Sequence, residues 1–218
     1  MNSVDLKSDN KRFYYPLFLD ITDKRCIVLG GGKVAERKVA VLLQFNARVI
    51  VVGPFITKAL LKLHRENRIE CFQRVYTIED LHDAALIFAC TDNSAINKKI
   101  KKDAVRNNIP VNVVDNPDLC DFIVPSIVKK GDLTIAISTS GTLPLLSKKL
   151  REKIEDTITD DYLEYLHIVG EFRKHLLKTV KEGRKRSIIM KKIEKMDIHE
   201  VVATWLSQMK TIFGLTSK

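Results

Sequence analysis

No stretch of this 218-residue chain is apolar for long enough to cross a bilayer. Its first residues, Met1 to Arg12, are polar and hold no apolar signal core. The expectation is a cytoplasmic protein with no membrane partner. Cysteine is scarce: Cys26, Cys71, Cys90 and Cys120 show no C-x-x-C spacing, and three of them lie in apolar or strand-like runs. That excludes the common zinc and iron–sulfur patterns and reads as reduced, buried thiols. No G-x-S-x-G elbow, phosphate loop of the G-x-x-x-x-G-K type, or H-E-x-x-H motif is present. The five histidines are scattered. Glu164 with His167, and Glu171 with His175, each span one helical turn, but the partner carboxylates of a dinuclear site are missing. No metal ligand is expected.

What is present is an apolar fraction of 45%, enough for a true core, and a net charge of +10. The positive excess suits an anionic partner. Much of it falls between Lys178 and Lys192, where no aromatic residue interleaves with the charges. A platform for stacking single-stranded nucleic acid is therefore not expected. A solvated helix face accounts for the run.

The most informative segment is Val28-Leu29-Gly30-Gly31-Gly32-Lys33-Val34-Ala35. It follows the strand-like run Arg25–Leu29 and opens a helix-like run from Val34 to Phe45. Gly30, Gly32 and Ala35 form G-x-G-x-x-A in strand–turn–helix context, the signature of a dinucleotide-binding turn. Gly30 permits the sharp bend, Gly32 lets the backbone approach a pyrophosphate, and Ala35 lets the helix pack close to the strand. Free N–H groups at the helix start then face the phosphates. A strand-to-helix turn without ligand is the competing reading.

Further strands are expected at Arg48–Val52, Ile69–Arg74, Leu86–Cys90 and Pro110–Val114. Helices are expected near Thr57–Glu66 and Ser94–Asn107, the latter capped by Asp92 or Asn93. Alternating strands and helices imply a parallel, doubly wound sheet. Next, Asp121–Val128 and Leu133–Thr139 flank Lys129-Lys130-Gly131-Asp132, which reads as a hairpin. From Leu143 onward the pattern is helical, with interruptions expected at Gly170 and Gly183. The fold class is α/β: a Rossmann-like domain (1–112), a small β segment (113–151) and a helical C-terminal domain (152–218).

In such a sheet, ligands bind beyond the carboxyl ends of the strands. That edge gathers Gly30–Lys33, Gly53-Pro54-Phe55, Thr91-Asp92-Asn93 and Asp115-Asn116. The acid that usually ends the second strand is missing from Val52-Gly53-Pro54-Phe55, and no arginine replaces it, so this rule leaves NAD and NADP undecided. Asp115 ends an apolar strand and can serve as a general base or as a turn former in Asp115-Asn116-Pro117-Asp118. Asp92 reads as an N-cap. Ser138-Thr139-Ser140-Gly141-Thr142 can cap a helix or bind an anion.

Five segments resemble the precorrin-2 dehydrogenases, the family of siroheme-synthase N-terminal domains. They are Phe13 to Asp20, Val28 to Lys38, Asn112-Val113-Val114-Asp115, Asp121 to Ile127 and Ile137 to Thr142. The resemblance runs in order from about residue 13 to 155 and is weaker after Asp156. It implies NAD-dependent oxidation of precorrin-2 to sirohydrochlorin, with Fe²⁺ as a further substrate in bifunctional members. It also implies a homodimer whose segment after the nucleotide domain intertwines across the two-fold axis. By this resemblance Gly30, Gly31, Gly32, Lys33, Val34, Pro54, Phe55 and Thr91 hold the NAD. Asp115 is the catalytic aspartate, and Ser138, Thr139, Ser140 and Gly141 meet the substrate. Lys129, Lys130, Lys148 and Arg151 would draw in a polycarboxylate.

Overall fold

The computed structural model describes residues 12–114 and 116–204. The chain divides into two compact units between Val124 and Pro125.

The first unit is built on five parallel strands: β1 (Arg25–Leu29), β2 (Arg48–Val52), β3 (Glu70–Phe72), β4 (Leu86–Ala89) and β5 (Val111–Val113). Their order is β3-β2-β1-β4-β5, with Ile27 beside Ile50 on one flank and beside Ile87 on the other. Strand direction of travel reverses between β1 and β4, which makes that gap the switch point of the sheet.

Strand alternation sorts the core into two layers. Cys26, Val28, Val49, Val51 and Phe88 face one way, against Ala35, Val39 and Leu42 of α1 (Lys33–Gln44) and Leu60 of α2 (Lys58–Arg65). Ile27, Leu29, Ile50, Val52 and Ile87 face the other, against Ile100 and Ala104 of α3 (Ser94–Arg106). With both faces covered, the central strands are apolar at nearly every position, as parallel sheets demand.

The open edge of β5 is closed by the chain that follows it. The Asp121 carboxylate accepts the Val111 N–H at 3.0 Å, and Asn112 Nδ2 donates to the Phe122 carbonyl at 3.0 Å. The buried Cys120 thiol sits 3.1 Å from both the N–H and the carbonyl of Val113. Because Asp121 and Phe122 bond crosswise to β5, they do not extend a hairpin strand. The expected strand Asp121–Val128 is corrected accordingly to β6 (Ser126–Lys130).

In the second unit β6 pairs antiparallel with β7 (Leu133–Ile137). The turn is Gly131-Asp132, with Gly131 at φ +54°, and Lys129 and Lys130 belong to the strand. Four helices follow: α4 (Pro144–Thr157), α5 (Asp160–Thr179), α6 (Gly183–Glu194) and α7 (Ile198–Thr204). Helix α5 runs through Gly170, where a break was expected. Its buried Ile168, Phe172 and Leu176 recur every fourth residue, and α5 packs against α6 and α7. That packing outweighs the cost of about 1 kcal/mol for one helical glycine. The interruption expected at Gly183 is present: α5 ends at Thr179 and α6 begins at Gly183. The third strand is also shorter than expected, with only Glu70–Phe72 pairing to β2. No described helix is long and apolar enough to cross a membrane.

Candidate functional site

A crevice of about 420 Å³ opens at the carboxyl ends of β1, β2 and β4, across the switch point. The turn Gly30–Gly32 forms its floor, and each glycine answers a different demand. Gly30 has φ +114°, and a Cβ there would lie 2.5 Å from the Cys90 carbonyl oxygen at the end of β4. A Cβ on Gly31 would lie 2.2 Å from the Phe55 carbonyl oxygen. Gly32 has open space where its Cβ would be. The first two glycines therefore let three chain segments meet, and the third leaves room for a ligand against the backbone.

Gly32 is also the N-cap of α1, and no side chain caps that end. The first N–H groups of the helix have no intrahelical partner and carry the positive end of its dipole. Lys33 stands beside them, 82% exposed, its ammonium 3.0 Å from the Glu36 carboxylate.

Val52, Val75, Ile96 and Val114 supply apolar walls, and Phe55 stands exposed on the rim. This combination suits a dinucleotide: uncapped donors and open backbone for a pyrophosphate, a lysine beside them, and apolar surface for the rings. All eight residues expected to hold the cofactor, Gly30, Gly31, Gly32, Lys33, Val34, Pro54, Phe55 and Thr91, line this one crevice.

Two features of the site, Asn97 and Tyr76, were not read from the sequence, and Gly53, expected on the ligand edge, has a packing role there. Asn97 is 7% exposed on the inner face of α3; its Nδ2 donates to the Thr91 carbonyl at 3.0 Å and its Oδ1 accepts from the Thr91 hydroxyl at 2.6 Å. A polar residue on the stripe that continues to Ile100 and Ala104 was the available signal. Tyr76 is buried in the crevice wall, its hydroxyl 3.1 Å from Asp103 and its ring under the Lys99 ammonium at 4.9 Å. Burial, then the charge of Asp103, raises its phenol above the ordinary value. Gly53 packs on the turn, where a Cβ would meet the Gly31 nitrogen at 3.2 Å.

Asp92 lines the crevice but does not cap α3, which corrects the expectation. Asn93 is the cap, its Oδ1 accepting from Ala95 N–H at 2.9 Å and Ile96 N–H at 3.1 Å. Asp115 lies outside the described residues. Its neighbour Val114 lines the crevice and donates its N–H to the Ala89 carbonyl at 3.0 Å.

Ser138, Thr139, Ser140 and Gly141 lie in the second unit, between β7 and α4. Ser140 and Gly141 take φ +52° and +83°. Ser138 Oγ accepts the Ser140 N–H at 3.0 Å, and Thr139 Oγ1 accepts the Leu143 N–H at 3.2 Å. The basic residues nearby make contacts within their own unit. Lys130 Nζ donates to the Glu155 and Ile158 carbonyls, closing the end of α4, and Arg151 pairs with Glu155. Lys148 is exposed and stands 3.9 Å from the Glu152 carboxylate. Among the described residues, no group of three His, Cys, Asp or Glu side chains converges as a metal site.

The family model described as putative NAD(P)-binding matches residues 17–126, half of the chain. The chain belongs to this NAD(P)-binding family. A second model, described as sirohaem biosynthesis protein central, matches residues 130–157, which run from the end of β6 through α4. Three relatives are siroheme synthases. That of Nitrosospira multiformis is 44% identical over 164 residues, covering 73% of this chain and 35% of the relative. That of Ruthia magnifica is 41% identical over 160 residues (73% and 34%), and that of Methylobacillus flagellatus 40% over 173 residues (79% and 37%). The chain spans about a third of the length of these curated relatives. A solved structure of SirC, a precorrin-2 dehydrogenase, matches with TM-score 0.69 and 24% identity over 90% of this chain and 94% of that one. It shows the same fold. The resemblance to siroheme-synthase N-terminal domains drawn from the sequence agrees with all of these matches.

Proposed function

We propose that this protein oxidises precorrin-2 to sirohydrochlorin with NAD⁺ as a homodimer in the cytoplasm. The observation that carries the reading is the convergence of Gly30–Val34, Pro54, Phe55 and Thr91 on one crevice, with Val114, the residue before Asp115, in its wall. NAD⁺, when bound, accepts a hydride, giving NADH and a proton to be removed as the macrocycle gains conjugation.

The chain's residues bind and orient. Gly32 and the α1 N–H groups hold the pyrophosphate, and Lys33 adds a positive charge beside it. Asn97 fixes Thr91 through both its hydroxyl and its carbonyl, so the crevice rim keeps its shape through turnover. Asp115, following Val114, is the base that takes the proton from the macrocycle. Ser138 to Gly141 meet the substrate. The three-part division into nucleotide domain (1–112), active-site and dimer segment (113–151) and helical part (152–218) follows these roles.

The dimer reading is supported by apolar surface on α4, where Leu145 is 75% exposed and Leu143 and Leu146 are also uncovered, and by the exposed residues Phe13, Tyr15 and Phe18. The test is an assay of purified protein with precorrin-2 and NAD⁺, with and without Fe²⁺ as substrate. NADH and sirohydrochlorin should form together, and Asp115→Ala should abolish both while NAD⁺ affinity is kept. Full activity of Asp115→Ala would remove that residue from the mechanism. Siroheme formed only when Fe²⁺ is present would add the second reaction.

A further inference from the structure

In the sequence, the proposed base Asp115 stands between two residues whose backbones are tied to the sheet. Before it, Val114 donates its N–H to the Ala89 carbonyl at 3.0 Å. After it, Asn116 donates to the Val113 carbonyl at 3.4 Å and accepts the Leu119 N–H at 3.2 Å. Pro117–Leu119 then form a short 3₁₀ turn, closed by the Cys120 N–H on the Pro117 carbonyl at 3.1 Å. From inside, the Cys120 thiol holds the same loop, 3.1 Å from the Val113 carbonyl and 3.4 Å from that of Asn116.

The outer side of the loop is held from the start of the described chain. Arg12 Nη1 donates to the Pro117 carbonyl at 3.0 Å and to the Cys120 carbonyl at 2.7 Å, and Nη2 donates to the Asp118 carbonyl at 2.5 Å. The Asp118 and Cys120 carbonyls lie where the donors of the turn run out, because the next N–H, that of Asp121, goes to the Val111 carbonyl at 2.9 Å. A planar guanidinium with several N–H groups can meet three such carbonyls at once.

Two of the three bonds are exposed, so water can replace the guanidinium there and the fold loses little without it. What the clamp supplies is order in the span from Val114, a wall of the crevice, to Cys120. A group that acts in turnover must be held within about 0.5 Å of its productive place, and a small displacement costs rate rather than cofactor binding. We infer that Arg12 is a positioning residue: through the Pro117, Asp118 and Cys120 carbonyls it steadies the loop that carries Asp115. This rests on the reading of Asp115 as the base.

The test is steady-state oxidation of precorrin-2 by the full chain, beside calorimetric titration of NAD⁺ and thermal unfolding. Arg12→Ala should lower kcat at least about tenfold, leave NAD⁺ affinity within about twofold, and melt close to wild type. Arg12→Lys keeps the charge but cannot span three carbonyls from one nitrogen, so its kcat should lie between the two. A clamp that served the fold alone would do the reverse: melting would fall, and the kcat of the folded variant would stay. Wild-type kcat in folded Arg12→Ala or Arg12→Lys, or an NAD⁺ affinity that falls as far as kcat, would overturn the inference. If Arg12→Ala does not fold, Arg12→Lys decides: a kcat lowered at least about threefold with NAD⁺ affinity kept supports the clamp. A fully active Asp115→Ala would defeat the reading of the base itself, a result distinct from wild-type kcat in Arg12→Ala beside an inactive Asp115→Ala.

Discussion

The two units bury their apolar residues to very different degrees. In the first, β1, β2 and β4 are buried at almost every position, and three helices cover both faces of the sheet. In the second, β6 and β7 share one fully buried strand residue, Val128, α4 buries only Ser147, and α6 buries nothing. The first unit holds a complete core and needs no other chain to close it. The second leaves leucines of α4 in water, which is why a second copy of the chain is the proposed cover. The lesson is a contrast in packing: one unit closes its own core around the glycine turn, and the other leaves apolar surface uncovered.

Truncation should expose this contrast most strongly. Ile27→Ala, at a side chain with no exposure between two helical layers, should cost about 2–5 kcal/mol in urea unfolding. Leu145→Ala should change unfolding of the isolated chain by less than about 0.5 kcal/mol while weakening dimerisation in sedimentation. Equal destabilisation by both would erase the distinction between the units.

Within the first unit, Gly31→Ala should cost about 2–4 kcal/mol, because its Cβ would strike the Phe55 carbonyl, a backbone atom with nowhere to retreat. Calorimetric melting checks this. Asn97→Ala should cost about 1–3 kcal/mol by leaving the Thr91 carbonyl and hydroxyl without their buried partner.

The smallest effect concerns pH. Arg74 first, then the Thr77 N–H, holds the Asp80 carboxyl below its ordinary value of 3.8. A carboxyl lowered in the folded state contributes stability that is complete above its unfolded value and is lost as pH falls below it. Asp80→Asn should therefore flatten the stability profile below about pH 4 relative to wild type and leave its slope near neutrality unchanged. Chemical denaturation across that range measures it.

The sheet was legible because Cys26–Leu29, Val49–Val52 and Leu86–Cys90 are unbroken apolar runs, the mark of strands covered on both faces. The glycine turn was legible because its spacing follows from phosphate geometry. Other features depend on contacts between distant residues. That Gly31 is required comes from Phe55, 24 positions away. Asp121 leaves the expected hairpin because Val111 offers an unpaired N–H, and Gly170 stays helical because Ile168, Phe172 and Leu176 pack around it. Asn97 was the clearest missed signal, a lone amide on an apolar stripe.

The central claim is that the open backbone at Gly32 holds a nicotinamide dinucleotide. Calorimetric titration of NAD⁺ into wild type and Gly32→Ala tests it most directly. A Cβ at Gly32 meets no protein atom within 4 Å, so the variant should melt within about 1 kcal/mol of wild type. Its affinity for NAD⁺ should fall at least about tenfold as the methyl takes the ligand's space. Equal affinity in the two proteins, or no binding by wild type, would contradict the account.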